Sequence, residues 1–405
     1  MLYPTPKCAF GVFRFLGLNA IWQGTNIKTD EVITVDRSSD IKHMRLALSL
    51  AKKGKDRVFP NPMVGCVIVK GGKVVGTGYH EFFGGPHAEI NALLAAGKKA
   101  FNSTLYVTLE PCNHFGKTPP CTNAIIQAGV KRVVAATLDP KETMRGSGLR
   151  SLAQHSIEVS HGVLGREAAR INADFVKRQK DRSSSVTAKV AMSIDGKIAT
   201  RTGDSKWISS FQSRTIVHRL RSNMDAVIVG SETALRDNPF LTSHGAGRNP
   251  VRVVLDSTLR VPLTINVFNG EAPTIVFYSR RNAGKRLVEY RNRKVMTVQL
   301  SERRGEMPFA SIIETLRQFS LKRILVEGGG ETIASAIESG VVTDVMFFIS
   351  PKIIGGRLAK TAVEGLGVAR IKDSLRLDNP RVTRIGRDVL FTARIRKTQS
   401  RSGAR

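Results

Sequence analysis

Apolar positions recur along the chain in two rhythms, and the switches between them outline most of its elements. Between 40 and 53, Ile41, Met44, Leu46, Leu48, Leu50 and Ala51 form one apolar face with basic residues opposite, which predicts a helix. The stretches 64–69 and 74–79 predict a hairpin across Gly71-Gly72. After Gly84-Gly85-Pro86, the residues Ile90, Leu93, Leu94 and Gly97 fall at helical spacing. Proline is tolerated at a helix start, so His87 and Glu89 fall in the first turn. A buried strand is predicted over 104–109, and a second helix over 122–128 opens at Pro119-Pro120-Cys121. The near-continuous apolar run 130–138 reads as a strand of a parallel sheet covered on both faces. An edge strand at 157–160 and one helix over 165–179 follow.

The segment Lys180-Asp181-Arg182-Ser183-Ser184-Ser185 is short, polar and serine-rich, and reads as a linker. Beyond it the pattern restarts, with strands at 186–193, 225–229, 251–255, 274–278, 323–326, 345–349 and 388–396. Helices are predicted over 211–222, 309–319 and 331–339. Alternating strands and helices predict an α/β layered domain. The expected organisation is an extension over 1–39, a first domain over 40–182, a second over 186–396 and a basic tail over 397–405. The extension, apolar from Phe10 to Leu18 except for Arg14, reads as a targeting peptide, a short signal-like segment or the product of an upstream start. Asp30, Glu31 and Asp36 argue against a long transit peptide.

Composition narrows the partners. The 405 residues suffice for two or three domains, and no run of about eighteen apolar residues exists to cross or anchor in a membrane. Of the four cysteines, Cys8, Cys66, Cys112 and Cys121, two have a chemical role below, so a disulfide framework is not expected. A reducing, cytoplasmic setting fits, with the extension leaving organellar import open. The net charge of +30 suits nucleic acid, acidic membrane or anionic small ligands. It is spread from Lys42 to Arg405 without a dominant block, which reads as solvated surface compatible with phosphorylated substrates. Glu327-Gly328-Gly329-Gly330 joins a strand to a helix, either as a phosphate-binding turn or as a tight connection. No Gly-x-Gly-x-x-Gly follows a strand, so a Rossmann dinucleotide site is not indicated.

The chemistry concentrates between 86 and 121. His87, Cys112 and Cys121 supply one imidazole and two thiols, enough for three corners of a zinc tetrahedron with the fourth left for water. Zinc brings the pKa of such a water to about 7. Glu89 lies too close to His87 along the chain for an easy fourth ligand and suits a proton shuttle between water and a leaving amine. Ordinary core cysteines and a helix-start histidine are the plainer reading. His-x-Glu followed by Pro-Cys and a second cysteine, each at a helix start after a strand, favours a zinc aminohydrolase.

Further motifs extend the picture. They are Asn61-Pro62-Met63-Val64-Gly65-Cys66, Gly84-Gly85-Pro86-His87-Ala88-Glu89 and Thr108-Leu109-Glu110-Pro111-Cys112. In the second half stand Lys189-Val190-Ala191-Met192-Ser193-Ile194-Asp195-Gly196, Trp207-Ile208-Ser209, Leu220-Arg221, Asp237-Asn238-Pro239 and Val326-Glu327-Gly328-Gly329. In this order, across 40–396, they resemble the bifunctional riboflavin-biosynthesis deaminase/reductase family. The resemblance implies a cytidine-deaminase-like α/β/α domain followed by a dihydrofolate-reductase-like α/β domain. The implied activities are deamination of a diaminohydroxyphosphoribosylaminopyrimidine with Zn²⁺, then reduction of its ribosyl group to ribityl with NADPH. It also implies that Asn61, His80, His114, Lys117 and Asp139 line the deaminase pocket. Ser205, Arg221, Leu241 and Glu327 are implied substrate contacts of the reductase. Ala191, Trp207, Thr233, Asp237 and Ser257, with the loop from Gly329 and Gly330, are implied NADPH contacts.

Two departures stand out. Asp139-Pro140 is followed by Lys141-Glu142 where the family has Asn-Pro, and Leu241-Thr242 is followed by Ser243-His244 where an arginine for the substrate phosphate often stands. His244 or Arg248 are the expected substitutes. The competing readings are a deaminase whose reductase half is impaired by the Ser243-His244 departure, and a nucleic-acid deaminase whose basic second half holds tRNA or DNA. Against the latter, base-editing deaminases show Pro-Cys-x-x-Cys, whereas here eight residues, Asn113 to Pro120, separate the cysteines. The expected partner is a small phosphorylated pyrimidine, with no nucleic acid; a homo-oligomer is left open.

Overall fold

The computed structural model describes residues 37–55, 57–113, 120–180, 184–279, 284, 286–302 and 307–396. The 1–36 extension, the tail from 397, and His114 and Lys117 lie outside the described residues.

The first half runs α1 (Arg37–Lys52), β1 (Gly65–Lys70), β2 (Lys73–Tyr79), α2 (Ala88–Ala96), β3 (Thr104–Val107), α3 (Cys121–Gln127), β4 (Arg132–Ala135), α4 (Ser147–Gln154), β5 (Glu158–His161), α5 (Gly165–Ile171) and α6 (Ala173–Lys180). Its sheet has the order β2-β1-β3-β4-β5. β1 is antiparallel to β2 and β3, and β3, β4 and β5 are parallel. Alternation along β1 sends Cys66 and Ile68 to one apolar layer and Val67 and Val69 to the other. Full burial of each such aliphatic side chain contributes roughly 1.5–3 kcal/mol. On the second face, the buried Asp40 of α1 accepts both Arg132 terminal nitrogens, at 2.9 and 2.8 Å, and the Tyr106 hydroxyl at 2.8 Å. Burial pushes the Asp40 carboxyl up, but these hydrogen bonds outweigh it and hold the carboxyl below its ordinary value.

α2 buries Ala88, Glu89, Ala92 and Ala96 and leaves Leu94 exposed. The reason is close approach to β2. A Cβ at Gly78 would lie 2.5 Å from Ala88 O, and one at Gly76 2.5 Å from Ala92 O, so only small residues fit between helix and strand. The single helix expected over 165–179 is interrupted at Asn172. That side chain accepts the Met63 N–H at 2.8 Å and donates to Met63 O at 2.9 Å, fixing the segment that leads into β1.

The second half comprises β6 (Ser185–Ser193), α7 (Phe211–Asn223), β7 (Ala226–Gly230), α8 (Ser231–Asp237), β8 (Val251–Leu255), β9 (Thr274–Tyr278), α9 (Arg286–Asn292), β10 (Met296–Gln299), α10 (Phe309–Gln318), β11 (Arg323–Glu327), α11 (Gly330–Glu338), β12 (Asp344–Ser350), β13 (Leu377–Ile385) and β14 (Asp388–Ile395). The sheet order is β10-β9-β8-β7-β11-β6-β12-β14-β13. It is parallel from β10 to β12 and antiparallel at β12-β14-β13. The sequence pattern did not predict β13, an exposed edge strand that carries Pro380. Proline is tolerated there because an edge N–H needs no ladder partner. The fully buried Arg252 of β8 donates to Thr274 Oγ1, Asn269 Oδ1 and the carbonyls of Phe240, Asn266 and Ala272, pinning the chain that leads to Leu241. Phe59 and Phe83 of the first half join the apolar core of the second. Among the described residues no helix is long and apolar enough to cross a membrane.

Candidate active sites

His87 caps the start of α2, and Cys121 is the first residue of α3. Cys112 follows the strand β3 and the turn through Glu110-Pro111. The chain thus converges on one point from two helix starts and one strand end. His87 Nδ1 lies 3.2 Å from Cys121 Sγ and 3.5 Å from Cys112 Sγ, and the three ligand atoms lie within 4.8 Å of one another. A tetrahedral zinc with bonds of about 2.0–2.3 Å has ligand edges of about 3.5–3.8 Å, so the donor set and spacing fit. The Cys121 N–H donates to Cys112 Sγ at 3.3 Å. Through its hydrogen bond to Cys121 the Cys112 thiol is lowered to about 4, while the same bond pushes Cys121 up. A divalent cation here would take both sulfurs as thiolates.

Glu89 is buried beneath these ligands, and burial pushes its carboxyl up to about 7. A cation alongside draws that value back down. His80 Nδ1 donates to Pro86 O at 2.9 Å, so its Nε2 accepts from Asn61 Nδ2 at 3.0 Å. Burial pushes His80 down to about 4, which agrees with this neutral form. Its ring meets the His87 ring edge-on at 5.6 Å. The structure therefore brings Asn61 and His80 to the metal ligands.

Asp139 is placed by a residue the sequence reading did not single out. The buried Glu110 accepts N–H groups of Asp139, Gly146 and Gly148 at 2.8–2.9 Å, which holds the Asp139 loop and caps α4. Asp139 Oδ1 accepts the Lys141 N–H at 2.8 Å, so the departure at Lys141 leaves its exposed side chain outside this turn. The sequence signal for Glu110 was its place in the Thr108–Cys112 motif.

In the second half, Glu327 ends β11 and is buried with two cations. Arg221 Nε and Nη2 reach its two oxygens at 2.7 and 3.0 Å, and Lys189 Nζ lies 3.4 Å away. Burial alone would raise the Glu327 carboxyl; Arg221 and then Lys189 outweigh it and bring it to about 2. Lys189 was a missed member, legible only as the first residue of a quoted motif. Arg221 Nη1 donates to Thr242 O at 3.2 Å, so three guanidinium nitrogens are engaged within the protein and Arg221 holds Glu327 in place. Leu241 lies buried in the core at φ +54°.

The turn after Glu327 meets α8. Gly329 N–H donates to Thr233 Oγ1 at 3.1 Å, and a Cβ at Gly330 would lie 2.5 Å from Thr361 O. A Cβ on Gly329 would make an ordinary contact with Thr233 Oγ1 at 3.8 Å. Ser205 Oγ donates to Asp237 Oδ1 at 2.9 Å. Trp207 is exposed beneath the Arg214 guanidinium at 4.4 Å. Ser257 O accepts the N–H and hydroxyl of Ser279. Ala191 lies opposite Phe348 in the β6–β12 register. His244 stacks on His218 at 4.2 Å. Arg248 is not a substitute phosphate ligand here: its guanidinium lies 3.6 Å from the centre of the Phe59 ring, turned toward the first half.

A zinc-type deaminase joined to an α/β reductase defines the class of enzyme. Residues 37–137 match the model of the cytidine and deoxycytidylate deaminase zinc-binding region, and 184–391 match that of the RibD C-terminal domain. Riboflavin biosynthesis protein RibD of Aquifex aeolicus is 43% identical over 358 residues, covering 88% of this chain and 98% of that protein. The protein of the same name from Escherichia coli is 36% identical over 364 residues, covering 86% and 98%. A solved structure of Acinetobacter baumannii RibD is 32% identical, with 89% of this chain and 100% of that one covered, at a TM-score of 0.48. The chain belongs to the RibD family.

Proposed function

We propose that this chain carries out two successive steps of riboflavin biosynthesis. The first is hydrolytic deamination of 2,5-diamino-6-(5-phosphoribosylamino)pyrimidin-4-one, and the second is reduction of the ribosyl group to ribityl. The observation that carries the reading is one chain holding both the His87–Cys112–Cys121 cluster over buried Glu89 and the Glu327–glycine turn of a RibD C-terminal domain. We assign deamination to 40–182 and reduction to 186–396.

Zinc, held by His87, Cys112 and Cys121, supplies Lewis-acid activation of water. Glu89 is placed to carry a proton from the attacking water to the amine, which would leave as ammonia when the C–N bond breaks. Asn61, fixed by His80, offers amide groups to the pyrimidine edge, and Asp139 offers acceptors to the ribose. His114 and Lys117 complete this assignment on resemblance alone. NADPH would supply the hydride for reduction at C1′, the C1′–O4′ bond opening and O4′ taking a proton. Glu327, with Ser205, Arg221 and Leu241, orients the substrate. Ala191, Trp207, Thr233, Asp237, Ser257, Gly329 and Gly330 receive the cofactor. Thiolate ligands suit a reducing compartment such as the cytoplasm. A single lysine at 117, which by the resemblance would meet one phosphate, suits a small nucleotide-like substrate better than a nucleic-acid strand.

The test is incubation of the protein with the diaminopyrimidine phosphate, with and without NADPH, and mass identification of products. Loss of one amine without NADPH, and a further gain of two hydrogens with it, are expected. Unchanged substrate together with deamination of tRNA would replace this reading with the nucleic-acid one.

A further inference from the structure

We infer that the reductase half positions the metal-ligand loop of the deaminase half, through Arg248 gripping Phe59. Two stretches of the first half shape the ground around His87. One is the turn through Phe59 to Asn61, whose Asn61 amide fixes His80. The other is the loop through Phe83 to Pro86, whose Pro86 carbonyl accepts the His80 proton immediately before His87. The stretches are joined by Phe83 N–H donating to Arg57 O at 2.9 Å. Each carries one buried phenylalanine, and both rings leave their own half to enter the core of the other.

The grip on Phe59 is specific. Arg178 of α6 places its guanidinium 4.6 Å from the ring centre and donates to Pro60 O at 3.2 Å. Arg248, from the reductase half, lies at 3.6 Å from the same centre. Buried donors Arg178 Nε and Arg248 Nη1 have no hydrogen-bond partner among the described residues; the Asp225 carboxylate and cation–π attraction to Phe59 together offset the desolvation of the two guanidinium groups. Arg248 is itself anchored. It donates to Met224 O at 3.1 Å and lies 3.5 Å from Asp225, whose other oxygen accepts the Lys322 and Arg323 N–H groups at the start of β11. The second stretch is braced in the same way. Phe83 meets Phe319 edge-on at 5.8 Å, Lys294 lies 4.9 Å over Phe82, and Gly84, at φ +83°, is where Met296 presses closest. Moving either loop moves the Asn61–His80–Pro86 chain of hydrogen bonds, and with it the ring that presents His87. Arg248 is thus a positioning residue for deamination although it belongs to the reductase sheet.

The inference rests on the deaminase reading above, and its test uses the intact chain. Phe59→Leu and Arg248→Ala should each lower the kcat of deamination about tenfold while zinc stays bound, the scale seen when partners of metal ligands are lost. The double variant should lose no more than the worse single one, since both remove the same contact. Reduction of supplied deaminated product should persist in all three, and Arg248→Lys should recover part of the loss. In cobalt-substituted protein the visible bands should shift in both single variants, reporting the ligand field without turnover. Unchanged deamination with unchanged bands would overturn the inference. So would an equal fall in both activities, which would reduce the contact to general stability. A wild type that deaminates nothing, with bands that still shift in the variants, would sink the assigned reaction and support this positioning role.

Discussion

The two sites are built on opposite plans. The deaminase site gathers neutral or metal-directed donors from two helix starts and one strand end, and its acid group, Glu89, is raised toward neutrality by burial. The proposed reductase site centres on a buried salt bridge: Glu327 is driven down to about 2 by two cations from α7 and β6. Burial raises one carboxyl, and two buried cations hold the other low. Burial acts in the same direction on both, so the difference comes from what was buried alongside.

The largest effect that should separate the sites is metal loss. Cys112→Ser should abolish zinc retention and deamination while leaving reduction of supplied deaminated product intact, as judged by metal analysis and two separate assays. Zinc equal to wild type would break the ligand assignment.

Next comes the reductase triad. Glu327→Gln leaves Arg221 and Lys189 buried without their carboxylate and should cost about 3–5 kcal/mol in denaturant unfolding at neutral pH. The pH dependence follows in sign. The folded carboxyl lies below its ordinary value of 4.5, so its contribution is fully present above that pH. It is lost as pH falls from about 4.5 toward about 2. Comparing wild type and Glu327→Gln across this window should show the gap closing; a gap constant with pH would contradict the ionised triad.

A smaller effect concerns Arg221. Because it holds Glu327, Arg221→Ala should reduce kcat/KM for reduction by about ten- to a hundredfold, the scale of one lost charged hydrogen bond, and leave deamination unchanged. Unaltered reduction would remove Arg221 from the site.

The same contrast explains what the sequence made legible. The metal ligands sit within 35 residues and at element starts that glycine and proline punctuate, so local signals located them. The parallel core strands were readable because burial on both faces leaves continuous apolar runs. Glu110 and Lys189 were not singled out, because nothing local shows that a carboxylate gathers three distant N–H groups or that a strand lysine faces a glutamate 138 residues away. The buried face of α2 was not legible because Gly76 and Gly78, on another element, set how closely it packs. Arg248 was placed at a phosphate by its neighbours in sequence and lies instead on Phe59. Short α8, α9 and β10 carry too few residues for periodicity to register.

The central claim is two independent chemistries with Glu89 as the proton carrier of the first. The most direct measurement is Glu89→Gln in the intact chain, assayed with the diaminopyrimidine phosphate and, separately, with its deaminated product and NADPH. Glutamine keeps the shape but cannot carry the proton, and general acid–base catalysis supplies about 10²–10⁴ in rate. The account predicts retained zinc, deamination reduced by that order, and reduction at the wild-type rate. Deamination near wild type, or loss of both activities together, would contradict it.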